Sequence, residues 1–169
     1  DCPAHFYGEI SYPGDSIKQE YKEDILVGYR WYDTKKIKPL FPFGYGLSYT
    51  TFQYDKPVLS AKKVSMGESL SVSVKVKNTG TMAGKEAVQL YIGDEKCSLL
   101  RPQKELKGFK KISLQPGEEK VVTFDIKPED LQFFDDSKHE WVAEPGKFKV
   151  YVTSSSANID NVAEFMCVE

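Results

Sequence analysis

Histidine is almost missing from this 169-residue sequence: there are two, His5 and His139, far apart in the chain. Neither lies in a metal-ligand motif, so a zinc site and a base–nucleophile pair both lack their usual residue. Cysteine is scarce too. Cys2, Cys97 and Cys167 show no metal-like spacing, and an odd count leaves at least one thiol unpaired. A Cys97–Cys167 bridge between two predicted strands is open to an exported protein; ordinary buried thiols are the alternative. No apolar run approaches the roughly 18 residues of a membrane span. With 23 basic against 25 acidic side chains the net charge is −2, and the lysines, such as Lys75, Lys77, Lys110 and Lys111, are scattered. That balance points to neither nucleic acid nor an anionic membrane as partner. An initiator methionine and a signal peptide are missing as well, so Asp1 reads as the start of a cut or processed chain.

The residues of catalysis are thinly spread. Glycoside hydrolysis needs two carboxylates facing each other in a cleft, and the densest acidic group is Asp135, Asp136 and Glu140 beside Trp141. A solvated hairpin loop accounts for it more simply. The same loop lacks the glycine and terminal glutamate of a calcium-binding hand, and Asp160 stands as a lone carboxylate between Asn158 and Asn161. Ser48, in Gly46-Leu47-Ser48-Tyr49, lacks the second glycine of a nucleophile elbow. Phosphate-loop and dinucleotide fingerprints do not occur. The reading is no catalytic residue, no metal and no cofactor in this chain.

Aromatic residues are what the sequence has in abundance, and they are unevenly placed. Residues 1–54 hold 13 of the 22, with turn signals at Tyr12-Pro13-Gly14-Asp15, Gly28, Pro39 and Pro42 and no sustained period of 3.6 or 2. The densest stretch, Pro39 to Thr50, carries two prolines and two glycines, which suit neither a helix nor a central strand. Such a segment does not build its own core, and exposed it would present a large apolar patch. It either packs on the domain that follows or connects that domain to a larger body; the second is the expectation.

Residues 55–169 alternate instead. Leu70, Val72, Val74 and Val76 interleave with polar residues, as do Val88, Leu90 and Ile92, then Val122, Phe124 and Ile126, then Phe148, Val150 and Val152. Each set reads as a strand buried on one face. Glu105 to Leu114 gives a further strand with a bulge or kink at Gly108. Pro128 to Leu131 suggests one helical turn, His139 to Val142 a brief strand, and Ala163, Phe165 and Cys167 a last one. With Pro57 to Ala61, seven or eight short strands separated by turns predict an all-β, antiparallel sandwich of immunoglobulin-like form. The cysteine pair and companion tryptophan of immunoglobulins are not evident, so fibronectin type III-like is the better description.

Two long passages resemble one family. Tyr21-Lys22-Glu23-Asp24-Ile25-Leu26-Val27-Gly28-Tyr29-Arg30-Trp31-Tyr32-Asp33 and Pro39 to Phe52 are similar to the passage leading into the C-terminal domain of glycoside hydrolase family 3. Arg101-Pro102-Gln103-Lys104-Glu105-Leu106-Lys107-Gly108-Phe109, Leu114 to Glu118, Pro128 to Leu131, Trp141 to Gly146 and Ser154-Ser155-Ser156 resemble its sandwich signature, in order and spacing. The resemblance implies a retaining β-glucosidase or β-xylosidase in three parts. A barrel domain would supply the aspartate nucleophile, an α/β sandwich domain the general acid/base, and the fibronectin-like domain would close the chain. Both catalytic carboxylates would then lie upstream of Asp1.

The expected organisation is therefore a connector, residues 1–54, and a β-sandwich, residues 55–169, stabilising and positioning the catalytic barrel and α/β domains as its partners. Tyr29, Arg30, Trp31, Tyr32, Phe41, Phe43 and Tyr45 are the candidate interdomain anchors, being of types that dominate buried interfaces. Arg30 either pairs with a carboxylate of the catalytic body or lies on an exposed strand. The alternative function is a carbohydrate- or polymer-binding module, with Phe133, Phe134 and Trp141, or the Tyr29–Tyr32 strip, as its aromatic platform.

Overall fold

The computed structural model describes residues 6–169, so Cys2 and His5 lie outside the described residues. Among the described residues the strands are β1 (Phe52–Tyr54), β2 (Val58–Leu59), β3 (Lys63–Ser65), β4 (Leu70–Asn78), β5 (Gly84–Asp94), β6 (Glu105–Leu114), β7 (Glu119–Ile126), β8 (Phe133–Asp135), β9 (Glu140–Val142), β10 (Gly146–Thr153) and β11 (Val162–Val168). In the first sheet β4 is central: β7 lies along one side, and β1 and β2 follow one another along the other. The second sheet has the order β3-β11-β10-β5-β6 and is antiparallel except for the β3–β11 pair. A separate hairpin pairs β8 with β9.

The alternating residues do what their period dictates. Val72, Val74 and Val76 of β4 and Val122, Phe124 and Ile126 of β7 meet Val88, Leu90 and Ile92 of β5 and Phe148, Val150 and Val152 of β10 in one buried cluster. Each such side chain, fully buried, contributes about 1.5–3 kcal/mol relative to its exposed state. The fold is the expected fibronectin type III-like sandwich. The irregularity at Gly108 is also real: Leu90 faces Gly108 while Tyr91 faces Leu106, so Lys107 is the extra residue of a β-bulge. The predicted helical turn is α2 (Pro128–Leu131), where Asp130 accepts a hydrogen bond from the Lys127 amide at 2.9 Å.

One polar residue sits at the end of the core. Asn78 is fully buried, yet its amide donates to the Met82 and Leu114 carbonyls, and its Oδ1 accepts from Thr50 Oγ1 at 2.6 Å and from the Gly80 amide. It thereby closes the β4–β5 turn and ties the end of the aromatic stretch to it.

A second polar contact joins the sheets at their rim, where Tyr54 Oη donates to Glu86 Oε1 at 2.7 Å. Burial pushes the Glu86 carboxyl above its ordinary value of 4.5, against the lowering effect of that hydrogen bond. A raised carboxyl binds its proton more tightly in the folded state, so stability falls as pH rises through the interval above 4.5. Glu86→Gln, which keeps an acceptor for Tyr54, is expected to raise the melting temperature at pH 7 and to lose that advantage at pH 4. Thermal melts across this range check it; an equal change at both pH values would contradict the assignment.

The structure also departs from the sequence reading. Residues Tyr29–Lys35 form a helix, α1, which no periodicity announced. Arg30 is therefore helical rather than on a strand. Two turns are too short to show a 3.6 period or to be stable alone; what holds them is the packing described below. Cys97 and Cys167 are both free. The inter-strand bridge is not formed, because Cys97 lies in the loop after β5 while Cys167 faces the core from β11.

Candidate functional site at the outer face of the second sheet

Strand β5 is buried on both faces. Val88, Leu90 and Ile92 enter the sandwich, while Gln89, Tyr91 and Gly93 point the other way and are buried as well. What covers them is the connector. Tyr29 of α1 packs edge-on against Tyr91 at 5.8 Å between ring centroids and stacks on Phe43 at 4.8 Å. Its hydroxyl accepts the Leu106 amide of β6 at 2.8 Å. Gln89 Nε2 donates to the Ser154 carbonyl at 2.6 Å and to that of Gly44 at 3.4 Å, and Gln89 Oε1 accepts from the Tyr91 hydroxyl at 2.6 Å. The Phe43 carbonyl accepts the Ser156 amide at 2.8 Å. Close backbone approach is possible at Gly44 because it has no Cβ and adopts φ +80°, a conformation glycine takes readily.

The segment Arg101 to Glu105 completes a latch. Lys104 is 1% exposed, and its Nζ lies 2.7 Å from Asp33 Oδ2 of α1 and 5.9 Å from the Tyr91 ring centroid. Gln103 donates its amide to Thr34 Oγ1. Arg101 reaches Asp94, Glu105, the Leu131 carbonyl and the face of Phe133. Glu105 also receives Arg30, at 3.2 Å. Burial alone would raise the Glu105 carboxyl; Lys107, Arg101 and Arg30 together outweigh it and hold the group below its ordinary value. At Asp94, burial prevails and the carboxyl is raised.

The candidate anchors therefore divide. Tyr29 and Trp31 turn toward this chain; Trp31 is buried, donates to the Tyr7 hydroxyl, and contacts Phe6 and Tyr32. Arg30 already has a carboxylate partner in Glu105. Phe41 and Tyr45 are more than half exposed and Phe43, stacked on Tyr29, slightly less than half, and around them Leu40, Leu47 and Tyr49 are exposed by 88%, 89% and 97%. The aromatic platform is split as well. Phe133 is buried under Arg101, whereas Phe134 and Trp141 pair edge to face at 5.7 Å on the exposed side of the hairpin. Asp135 is occupied with Ser137 and Lys138, which hold its carboxyl below the usual range. Among the described residues no three His, Cys, Asp or Glu side chains gather as a metal site would require.

Sequence reasoning missed Lys104, Asp33 and Gln89. A lysine between Gln103 and Glu105 reads as surface, and a glutamine alternating with Val88 and Leu90 reads as the wet face of a strand. The only available signal was the unusual length of the Ala87–Gly93 region with few charges.

Comparison with known proteins agrees with this architecture. The model of the fibronectin type III-like domain matches residues 86–156. Over all 169 residues the chain is 69% identical to the β-glucosidase BoGH3A of Bacteroides ovatus, of which it covers 23%. Over 156 residues, 92% of the chain, it is 49% identical to the thermostable β-glucosidase B of Acetivibrio thermocellus, covering 21% of that protein. Among solved structures, a GH3 β-glucosidase of Bifidobacterium adolescentis superposes with a TM-score of 0.88 at 35% identity, over 99% of this chain and 24% of the other. DesR, a β-glucosidase from Streptomyces venezuelae crystallised with D-glucose, gives 0.85 at 41% identity, over 94% and 20%. The chain thus spans less than a quarter of the length of these relatives.

Proposed function

Because this chain belongs to the family 3 glycoside hydrolases, as their connector and fibronectin type III-like region, we propose that it is a non-catalytic structural unit of a β-glycosidase. On this reading residues 1–54 are the connector and 55–169 the sandwich. The barrel and α/β domains outside the chain carry both catalytic carboxylates, and the parent protein cleaves terminal β-D-glucosides or related glycosides.

The observation that carries the reading is the two-sidedness of the connector. One side, through Tyr29, Asp33 and Gly44, is spent on the sandwich. The other leaves Leu40, Phe41, Leu47 and Tyr49 in solvent, an apolar strip of the kind that marks an interaction surface. The occupant with the best claim is the remaining three-quarters and more of the protein, for the strip lies on the stretch that leads into the sandwich.

The test mixes the purified chain with a separately expressed barrel-plus-α/β portion. The expected result is a complex with a higher melting temperature than either part, and hydrolysis of an aryl β-glucoside only where the catalytic portion is present. Phe41→Ala with Tyr49→Ala should weaken association by about tenfold or more, as loss of aromatic anchors does. Turnover by the chain alone, or no association, would refute the proposal.

A further inference from the structure

An open cleft of about 1020 Å³ lies between residues 42–50 of the connector, the start of β5 and the loop joining β10 to β11. Its size suits a small organic molecule of several rings rather than an ion. Three aromatic side chains line it: Tyr45, half exposed and leaning on Phe41 at 5.4 Å, and Phe52 and Tyr54 of β1.

The charges in its wall cancel. Lys85 and Lys111 stand against Glu86 and Asp160, so the cleft has no net field to attract an anion or a cation. Of these groups Glu86 is engaged by Tyr54, whereas Lys85, Lys111, Asp160 and the nearby Asn158 make no side-chain hydrogen bond or ion pair with the described residues. Together they offer both donors and acceptors.

The walls are held in place beforehand. Asn161 Nδ2 donates to the Asp55 and Val152 carbonyls at 3.0 and 2.8 Å, pinning the β10–β11 loop to both sheets. Tyr54 is fixed by Glu86, and Ser156 by the Phe43 carbonyl. With the walls ordered beforehand, the entropy lost on binding is confined to the free side chains that would meet the ligand.

Aromatic faces beside uncommitted amide, carboxylate and ammonium groups, with no net charge, match a ligand that has apolar C–H faces and a neutral rim of hydroxyls. We infer that this cleft binds a short neutral oligosaccharide, with Tyr45 stacking on a sugar ring and Asn158 and Asp160 taking its hydroxyls. The location does not depend on the structural role proposed above; only the choice of a β-linked glucan as first probe rests on it.

The test is a ¹H–¹⁵N chemical-shift titration of the chain with cellotetraose and, separately, with maltotetraose. The expected result is saturable shifts at residues 44–48, 85–87 and 154–161 with at least one of the two sugars. Tyr45→Ala and Asn158→Ala should each weaken binding by about tenfold, with unchanged melting temperatures, since both lie on the surface. Trp141→Ala should leave it unaltered. Binding of maltotetraose alone would uphold the site while removing the β-glucan assumption. No shift at millimolar concentrations of either sugar would overturn the inference. So would shifts confined to Phe134 and Trp141, or binding that disappears once the catalytic portion is supplied, which would make the cleft a seat for polypeptide.

Discussion

Lys104→Ala is expected to destabilise the protein by about 3–5 kcal/mol, the range for breaking a buried ion pair by removing one partner. The ammonium is 1% exposed and Asp33 Oδ2 is 2.7 Å away, so the substitution strands a largely buried carboxylate on α1. Loss of the lysine stem and of its contact with the Tyr91 ring adds to the effect. The lower end of the range is favoured, because the Asp33 side chain keeps a little exposure through which water can reach it. Asp33→Asn should cost a comparable amount by stranding the lysine. The double replacement Lys104→Met with Asp33→Leu should recover most of the loss, since it leaves no charge behind. Urea unfolding of the four proteins measures this, and hydrogen exchange at α1 should accelerate in both single variants. A loss below about 1 kcal/mol for Lys104→Ala would mean that the pair behaves as a surface salt bridge.

The next largest effect is expected at Gly44. A Cβ there would lie 2.7 Å from Gln89 Cδ, and the backbone stands at φ +80°. The conformation alone costs a non-glycine residue about 1–3 kcal/mol. Displacing Gln89 adds the loss of its bonds to Ser154, Gly44 and Tyr91 in a buried place, so Gly44→Ala should cost about 2–4 kcal/mol in all. Gly67→Ala supplies the control. Its φ is +92°, but nothing lies within 4 Å of the added carbon, so it should show the backbone strain alone. If Gly44→Ala and Gly67→Ala cost the same, Gln89 is not the seat of the connector.

The sandwich was legible because its physics is local. Val72, Val74 and Val76 alternate with polar residues only because one face of β4 meets the core, and Gly108 interrupts its strand where a bulge is wanted. The junction was legible only in outline. The connector's composition announced that Pro39 to Thr50 needed a surface to lie on, but not which surface. Helix α1 escaped because two turns carry no period. Lys104 and Gln89 escaped because their burial is imposed by residues 71 and 45 positions away in the chain, at Asp33 and Gly44. Phe133, Phe134 and Trp141 were grouped by proximity in sequence, although the strand pleat sends Phe133 and Phe134 to opposite faces. The cleft, assembled from four distant segments, left no trace at all.

The double burial of β5 bears on modularity. Sandwich domains are commonly treated as beads that can be cut out and moved between hosts. Here the second sheet has no finished outer surface: its cover is made from residues that precede the sandwich. A graft beginning at residue 55 would carry Gln89, Tyr91 and Lys104 into water without Gly44, Tyr29 and Asp33, their partners in the connector. The transferable unit is the sandwich together with its connector, and recombination that respects only the domain boundary would separate a sheet from its own lid.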